Sequence, residues 1–462
     1  MKLKKFLAAV MSAVMILAMS SCGNGGDGQV SKNAETTTNG KKIVSVYALY
    51  MDDDFKKDVS DFNRKSGEYQ VEVTEYAIEY PDDPITRLNN DIIAGKIPDV
   101  ILLHHAMPID SYISKGFLAD LYGYIDNDES VSRTDYLDGV LKAYETNGRL
   151  YELVPSFCID TLVGKASLIG STSGWTVDEF IKLADENPDK YILGDEYSVT
   201  IDRTAFFSAV TSRCYENFID RESGKCSFNS DGFIQLMEFT NRFPQEVDHE
   251  QAYANGNNYW NEYYKAYRDG QILLGMYSLG NFEGMRILEK VKFVSPVTFK
   301  GYPGAAGNGA VFNAYTELAI AENASDPDGA WEFLKYFLTD EYQEQYAKND
   351  SDRFPVKVSA VEKAAEASKE MPYYENDDGR KVYEQKTYWN GSTEVNIGIN
   401  TDEENKNIIN FINSVENISR RDSGINAIIS EEAATYFSGQ KSAKEAAEII
   451  QNRVQNYLDE NR

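Results

Sequence analysis

The chain has 462 residues with 46 Lys+Arg against 74 Asp+Glu, a formal net charge of −28. So acidic a surface argues against nucleic acid and anionic membrane surfaces as partners of the folded body. Three histidines (His104, His105 and His249) supply a His-based metal site poorly, and the three cysteines after Cys22 are an odd count that rules out a complete set of internal bridges.

The first 22 residues have their own chemistry. Lys2, Lys4 and Lys5 form a basic start, Phe6 to Met19 is an almost unbroken apolar run, and Ser20-Ser21-Cys22 closes it. That is the pattern of a secretory signal. The run is shorter than the roughly 20 residues of a bilayer-spanning helix. Its small residues lead straight into a cysteine, which resembles the lipobox of bacterial lipoproteins. Residues 1–21 are therefore expected to be a signal peptide and Cys22 the lipidated (palmitate-bearing) first residue of the mature chain. Several acyl chains hold stably where one holds only marginally. Gly23 to Lys41 carries Gly, Asn, Ser, Thr and charges with one large apolar residue, Val30. It cannot bury enough surface to offset its ordering entropy, so 22–41 reads as a flexible linker. The body is expected to work outside the cytoplasm, on the extracellular or periplasmic side of the cell membrane.

The remaining residues, about 420, are too many for one hydrophobic core, so two domains are expected. Ile43 to Leu49 reads as a buried strand, and Asp52-Asp53-Asp54 as a helix start ahead of Phe55, Val59 and Phe62. Val71 and Val73 alternate in a second strand. Ile85, Leu88, Ile92 and Ile93 form a helix stripe ended by Gly95, and Pro98 to Leu103 is a third strand. This β-α-β-α-β order predicts a parallel sheet, with ligands beyond the carboxyl ends of its strands. Ile109, Tyr112 and Ile113 make a short helix, and Gly148 to Pro155 a strand. Thr176-Val177-Asp178-Glu179 is a capping box. Helices fit about 203–214, 231–243 and 257–269. Ile272 to Tyr277, Val291 to Val297 and Leu318 to Ala321 read as strands. From Asp326 the chain reads as nearly all helix, the last one capped at Ser442.

Catalytic signatures are scarce. Gly170-Ser171-Thr172-Ser173-Gly174 has Thr where a nucleophile elbow has Ser, and Gly304 to Gly309 has the wrong spacing for a dinucleotide fingerprint. No Walker A, H-E-x-x-H or calcium-loop pattern occurs. With 74 acidic residues, a glycosidase carboxylate pair always has candidates, so that signal carries almost no information. Beyond Cys22 there are Cys158, Cys214 and Cys226, of which Cys214 and Cys226 are the only pair close enough in sequence to suggest a bridge. Thirty-one Tyr, 22 Phe and 4 Trp favour ligands with both C–H faces and hydroxyls, meaning sugars, although most such rings belong to the core.

Seven short motifs occur in one order. They are Gly95-Lys96-Ile97-Pro98-Asp99-Val100, Gly116 to Leu121, Gly148 to Pro155, Gly174-Trp175-Thr176 to Phe180, Gly270 to Met276, Asp328-Gly329-Ala330-Trp331 to Tyr336, and the C-terminal helix with Gln451-x-Arg453-Val454. In this order, behind a lipobox, the chain resembles the extracellular solute-binding proteins of bacterial ABC importers, sugar-binding (family 1) type, across roughly residues 43–459. Residues 370–400 do not align with that pattern.

The resemblance implies an α/β, two-lobed periplasmic-binding-protein-like (type II) fold with a hinge and a central cleft. The first lobe would span 42–154 with about 305–355 returning to it, and the second 155–304 with about 356–462. It implies capture of a carbohydrate, expected to be an oligosaccharide, by lobe closure and delivery to an ABC permease. It implies no chemistry on the ligand, no cofactor or metal, and a monomer tethered through its lipid. The alternatives are a membrane-anchored glycan hydrolase, or the same fold binding a polyamine or another non-sugar solute. Ligand-binding residues are expected at Tyr50 and Asp53 after the first strand and at His105 after the third. Further candidates are Trp260, Tyr277, Asn281, Tyr315, Arg353 and Trp389.

Overall fold

The opening alternation folds as its pattern predicts. In the computed structural model, β1 (Lys42–Ala48) runs parallel to both β2 (Tyr69–Glu75) and β3 (Val100–Leu102), with Val46 in register with Val73 and Val100. The residues described are 37, 40–79, 83–194, 201–220, 223–247, 257–304, 309–347, 351–420 and 422–461. The expected signal segment, Cys22, nearly all of the 22–41 linker, His249 and residues 305–308 lie outside them.

The chain forms two compact units: residues up to Leu102 with Asn323–Phe333, and Leu103–Glu322 with Leu334–Arg462. In the first, α1 (Asp53–Lys65) is capped by the Asp52 carboxylate, which accepts the Phe55 N–H. Capping satisfies a donor that the helix leaves free. The stripe Phe55 and Phe62 packs edge-on against Phe333, with ring centroids 6.3 and 5.0 Å apart. Asp99, at the centre of the Pro98-Asp99-Val100 motif, is buried. One carboxylate oxygen accepts from the Ser45 N–H and hydroxyl (2.8 and 2.7 Å), the other from the Ser325 N–H and hydroxyl (2.7 and 2.8 Å) and the Asp326 N–H (3.0 Å). A carboxylate so fully satisfied locks the strand entry to the returning segment. Gly329 of the Asp328-Gly329-Ala330-Trp331 motif lies so near Tyr69 that a Cβ there would stand 2.7 Å from the ring.

The second unit is built on β4 (Ser156–Lys165), a ten-residue strand buried along nearly its whole length. β5 (Tyr191–Leu193) pairs in parallel with β6 (Ile272–Leu279), and β6 runs antiparallel to β4. β7 (Val297–Phe299) and β8 (Val311–Ala314) also pair antiparallel with β4. Asn417–Ile418 joins β8 in parallel and closes the sheet order. The predicted capping box at Thr176 and Glu179 is present in full. Trp175 is structural: its indole N–H donates to the Gly301 carbonyl at 2.9 Å. The core around it is strongly aromatic, with Phe180, Phe206, Phe239 and Phe243 in mutual contact, and the helices Ser423–Phe437 and Ala443–Glu460 complete it.

Four expectations are corrected. Val291 to Val297 is not a strand. The chain makes a wide helical turn over Leu288–Lys292 and enters β7 only at Val297, after Val294 takes a positive φ of 49°. Gly148 to Pro155 contributes only the two-residue strand Arg149–Leu150, and the long strand lies just beyond Pro155. The region after Asp326 is not all helix. Tyr373–Glu375 pairs with Lys381–Tyr383, and Thr387–Asn390 with Thr393–Asn396, as two antiparallel hairpins. Cys214 and Cys226 are not bridged. Cys214 is buried in the aromatic core, where burial pushes its thiol up to about 12, while Cys226 faces the Gln451 carbonyl at 3.6 Å.

Candidate functional site

Strand periodicity puts Cys158 and Asp160 on one face of β4, and the antiparallel registers bring Ser278 of β6 and Asn313 of β8 beside them. The centre of this face is Asp160, 1% exposed. One carboxylate oxygen accepts from the Ser278 hydroxyl at 2.5 Å, the other from the Asn313 side-chain N–H at 3.2 Å and Arg213 Nε at 3.1 Å. Arg213 reaches it from the last turn of the helix Arg203–Cys214 and stands 5.9 Å from the Tyr302 ring centroid. Burial acts to lower the guanidinium, but Tyr302 and Asp160 outweigh it and hold it above its ordinary value. A buried charge needs such pairing to persist.

Two residues beyond Asn313, Tyr315 leaves the strand half-exposed, with the Arg353 guanidinium 4.2 Å from its ring centroid. Burial raises the Tyr315 phenol, with Cys158, Asp352 and Asp160 adding to it. Asn281 braces the segment that carries Arg353: its side-chain N–H donates to the Ser351 carbonyl at 2.8 Å, and its oxygen accepts the N–H groups of Glu283 and Gly284. Tyr277 sits on the opposite face of β6 from Ser278. Burial, with Tyr388 nearby, pushes its phenol up. Asn281, Tyr315 and Arg353 are thus brought together, whereas Tyr277 lies on the face of β6 away from Asp160.

The other candidates are placed elsewhere. Trp260, in the helix Asn257–Arg268, is exposed beside Tyr259 and Tyr263. Trp389 is exposed in the second hairpin, whose turn is tied to the Trp260 helix by Ser392 donating to Asn261 Oδ1. His105 is exposed and lies against His104, with ring centroids 3.9 Å apart; burial and then His105 push the His104 imidazole down to about 4. In the first unit, Tyr50 follows β1 and is exposed, while Asp53 opens α1 and meets Lys56 at 3.6 Å.

Sequence reasoning missed Asp160, Arg213, Ser278 and Asn313. The signal was present for Asp160, a lone acid inside the apolar run Phe157 to Leu162. A charge in a buried run is more informative than an exposed one. A separate cavity of about 540 Å³ in the second unit is lined by Asp110, Glu145, Glu216, Arg420, Tyr457 and Asn461 among others, and none of the nine candidates lines it. Among the described residues no cluster of His, Cys, Asp and Glu could hold a metal ion, and no helix is long and apolar enough to cross a membrane.

The sequence profile of a family described as bacterial extracellular solute-binding protein matches residues 57–373. No curated protein matches the sequence. Among solved structures, the sugar-binding protein MalE of Xanthomonas citri is similar at a TM-score of 0.56 and 14% identity, over 90% of this chain and 98% of that one. An ABC substrate-binding protein of Listeria monocytogenes in complex with cycloalternan is similar at 0.53 and 13%, over 91% and 99%. An ABC transporter solute-binding protein of Thermotoga lettingae bound with alpha-D-tagatose is similar at 0.51 and 14%, over 90% and 100%. At such low identity these likenesses establish the fold, the two-lobed α/β architecture expected from the sequence.

Proposed function

Since the chain belongs to the family of bacterial extracellular solute-binding proteins, we propose that it captures a carbohydrate, an oligosaccharide, and delivers it to the permease of an ABC transporter. The observation that carries this reading is the buried polar face around Asp160 beside the Tyr315 ring. The buried Asp160 carboxylate, engaged by Ser278, Asn313 and Arg213, orients these groups, of which the exposed Ser278 hydroxyl can meet sugar hydroxyls, and the half-exposed Tyr315 ring stands ready for a sugar C–H face. The ligands carried by the similar proteins of Listeria monocytogenes and Thermotoga lettingae, cycloalternan and tagatose, support the same class. Binding works by differential affinity: contacts from both lobes favour the closed state, so ligand shifts the population towards it.

The reading includes the lobe boundaries and the nine ligand residues set out above, with Asp160, Arg213, Ser278 and Asn313 added. It includes a lipid anchor at Cys22 and a monomeric receptor without enzymatic activity or cofactor. A tether keeps a receptor at high effective concentration near its permease.

Calorimetry and thermal shift against a panel of oligosaccharides and polyamines test it. A stoichiometric shift with a saccharide and no product is the expected result. A shift with a polyamine only would move the ligand class. Release of reducing ends, abolished by one carboxylate substitution, would replace capture with hydrolysis.

A further inference from the structure

The two hairpins that follow residue 372 begin where the match to the family profile ends. They carry an unusual surface. Of the eleven exposed large apolar side chains among the described residues, five lie here: Tyr373, Tyr374, Tyr383, Tyr388 and Trp389. Trp389 is 63% exposed and faces Glu394 across the hairpin; the next residue, Asn390, points the other way, is buried, and donates to the Val291 carbonyl at 2.6 Å. Tyr373 and Tyr383 are cross-strand neighbours with ring centroids 5.8 Å apart.

A contiguous exposed apolar patch marks an interaction site, and the second hairpin is held firmly from beneath. Arg286 and Lys290 both donate to the Ile397 carbonyl, at 2.8 and 2.6 Å. The buried Lys386 meets the buried Glu283 at 2.5 Å, and Ser392 is bound to Asn261. Such bracing fixes the hairpin that carries Tyr388 and Trp389 before any ligand arrives, which lowers the ordering cost of binding.

Charge and composition narrow the occupant. Residues 373–396 hold five acids and three bases on a chain of net charge −28, which disfavours nucleic acid and other anionic polymers. The rings are interleaved with Glu375, Lys381 and Glu394, whereas the core of a stable protein interface is depleted of charges. Tyrosine and tryptophan faces separated by hydrogen-bonding groups suit a chain of uncharged sugar rings.

We propose that the paired hairpins, through Tyr373, Tyr383 and Trp389, form a docking platform for a long neutral glycan chain. The inference rests on the carbohydrate reading and extends it from a short sugar to a polymer.

The test uses the full mature chain in gels containing dissolved starch, xylan, mixed-linkage β-glucan or dextran, alongside calorimetry with the corresponding di- and trisaccharides. The wild type is retarded by one polymer. The triple variant Tyr373→Ala/Tyr383→Ala/Trp389→Ala, with an unchanged melting temperature, binds that polymer about tenfold more weakly. The double variant Tyr373→Ala/Tyr383→Ala, which keeps Trp389, also binds the polymer more weakly but the short sugar equally well. The control Tyr191→Ala, which removes an exposed ring elsewhere, changes neither. Equal retardation of wild type and triple variant overturns the platform and leaves short-sugar capture standing. Retardation lost in the triple variant with no short sugar bound supports the platform and overturns capture. Binding to none of the saccharides overturns both, and loss in Tyr191→Ala overturns the platform as non-specific ring adhesion. A self-association by sedimentation that only the triple variant lacks overturns it in favour of a dimer contact.

Discussion

Arg213 donates from Nε to a carboxylate oxygen of Asp160 at 3.1 Å, joining a helix end to the middle strand of the second unit's sheet. The same carboxylate is shared by Ser278 and Asn313 from the two neighbouring strands. Removing the cation leaves a buried anion short of its counter-charge, so Arg213→Ala is expected to cost on the order of 3 kcal/mol of stability. Asp160→Asn keeps the shape and loses the charge, and should cost less stability while weakening ligand binding tenfold or more. Chemical denaturation and calorimetry separate the two effects. An Arg213→Ala protein as stable as wild type would refute the pairing.

Tyr315 is exposed, and its ring carries the Arg353 guanidinium. Truncating an exposed side chain away from the core usually changes stability by about 0.5 kcal/mol or less. Tyr315→Ala should therefore melt with the wild type yet bind ligand more weakly by about 0.5–1.5 kcal/mol, the worth of a stacked ring. Tyr315→Phe should bind like wild type if the face alone matters. Unchanged affinity in Tyr315→Ala would remove the ring from the site.

Gly280 lies directly against the backbone that leads into Arg353. A Cβ there would stand 1.7 Å from the Asp352 carbonyl oxygen and 2.9 Å from the Arg353 nitrogen. Backbone cannot swing aside as a flexible side chain can, so Gly280→Ala must shift the segment 351–353. A loss of about 1–3 kcal/mol is expected, together with the affinity loss predicted for Tyr315→Ala. Unchanged melting and unchanged binding would show that the close approach has no structural role.

Arg286 Nη1 meets both carboxylate oxygens of Glu404, at 2.5 and 2.7 Å, and Glu404 also completes the capping box of the helix Asp402–Ile412 with Thr401. Burial acts to raise the Glu404 carboxyl, but the Thr401 backbone N–H and hydroxyl and then Arg286 outweigh it and hold it below the ordinary value of 4.5. A carboxyl lowered on folding adds stability that is full above its unfolded value and is lost as pH falls through its folded value. The wild type should thus melt above Glu404→Gln at neutral pH, and the difference should shrink as pH drops below 4.5. A difference that stays constant with pH would show that the charge of Glu404 is not what matters.

The motifs that were readable correspond to local chemistry. Asp99 follows Pro98 at a strand entry and takes its hydrogen bonds from Ser45 and Ser325, while Thr176 and Glu179 satisfy each other within one helical turn. The hairpins after residue 372 were not readable, because Tyr, Asn and charged residues there follow no clean two-residue alternation of buried and exposed positions. The possible Cys214–Cys226 bridge failed for a related reason. Proximity in sequence says nothing about which neighbours two thiols face.

The sequence by itself determined the βαβαβ start, the helix caps, the acidic surface and the family, because these rest on composition, periodicity and short-range motifs. Only the tertiary structure brought the candidate site's residues together. Asp160, Arg213, Ser278 and Asn313 are separated by up to 153 residues and meet through strand register and one helix end. Register is fixed by which faces are buried against the whole core, a long-range condition that no local pattern contains.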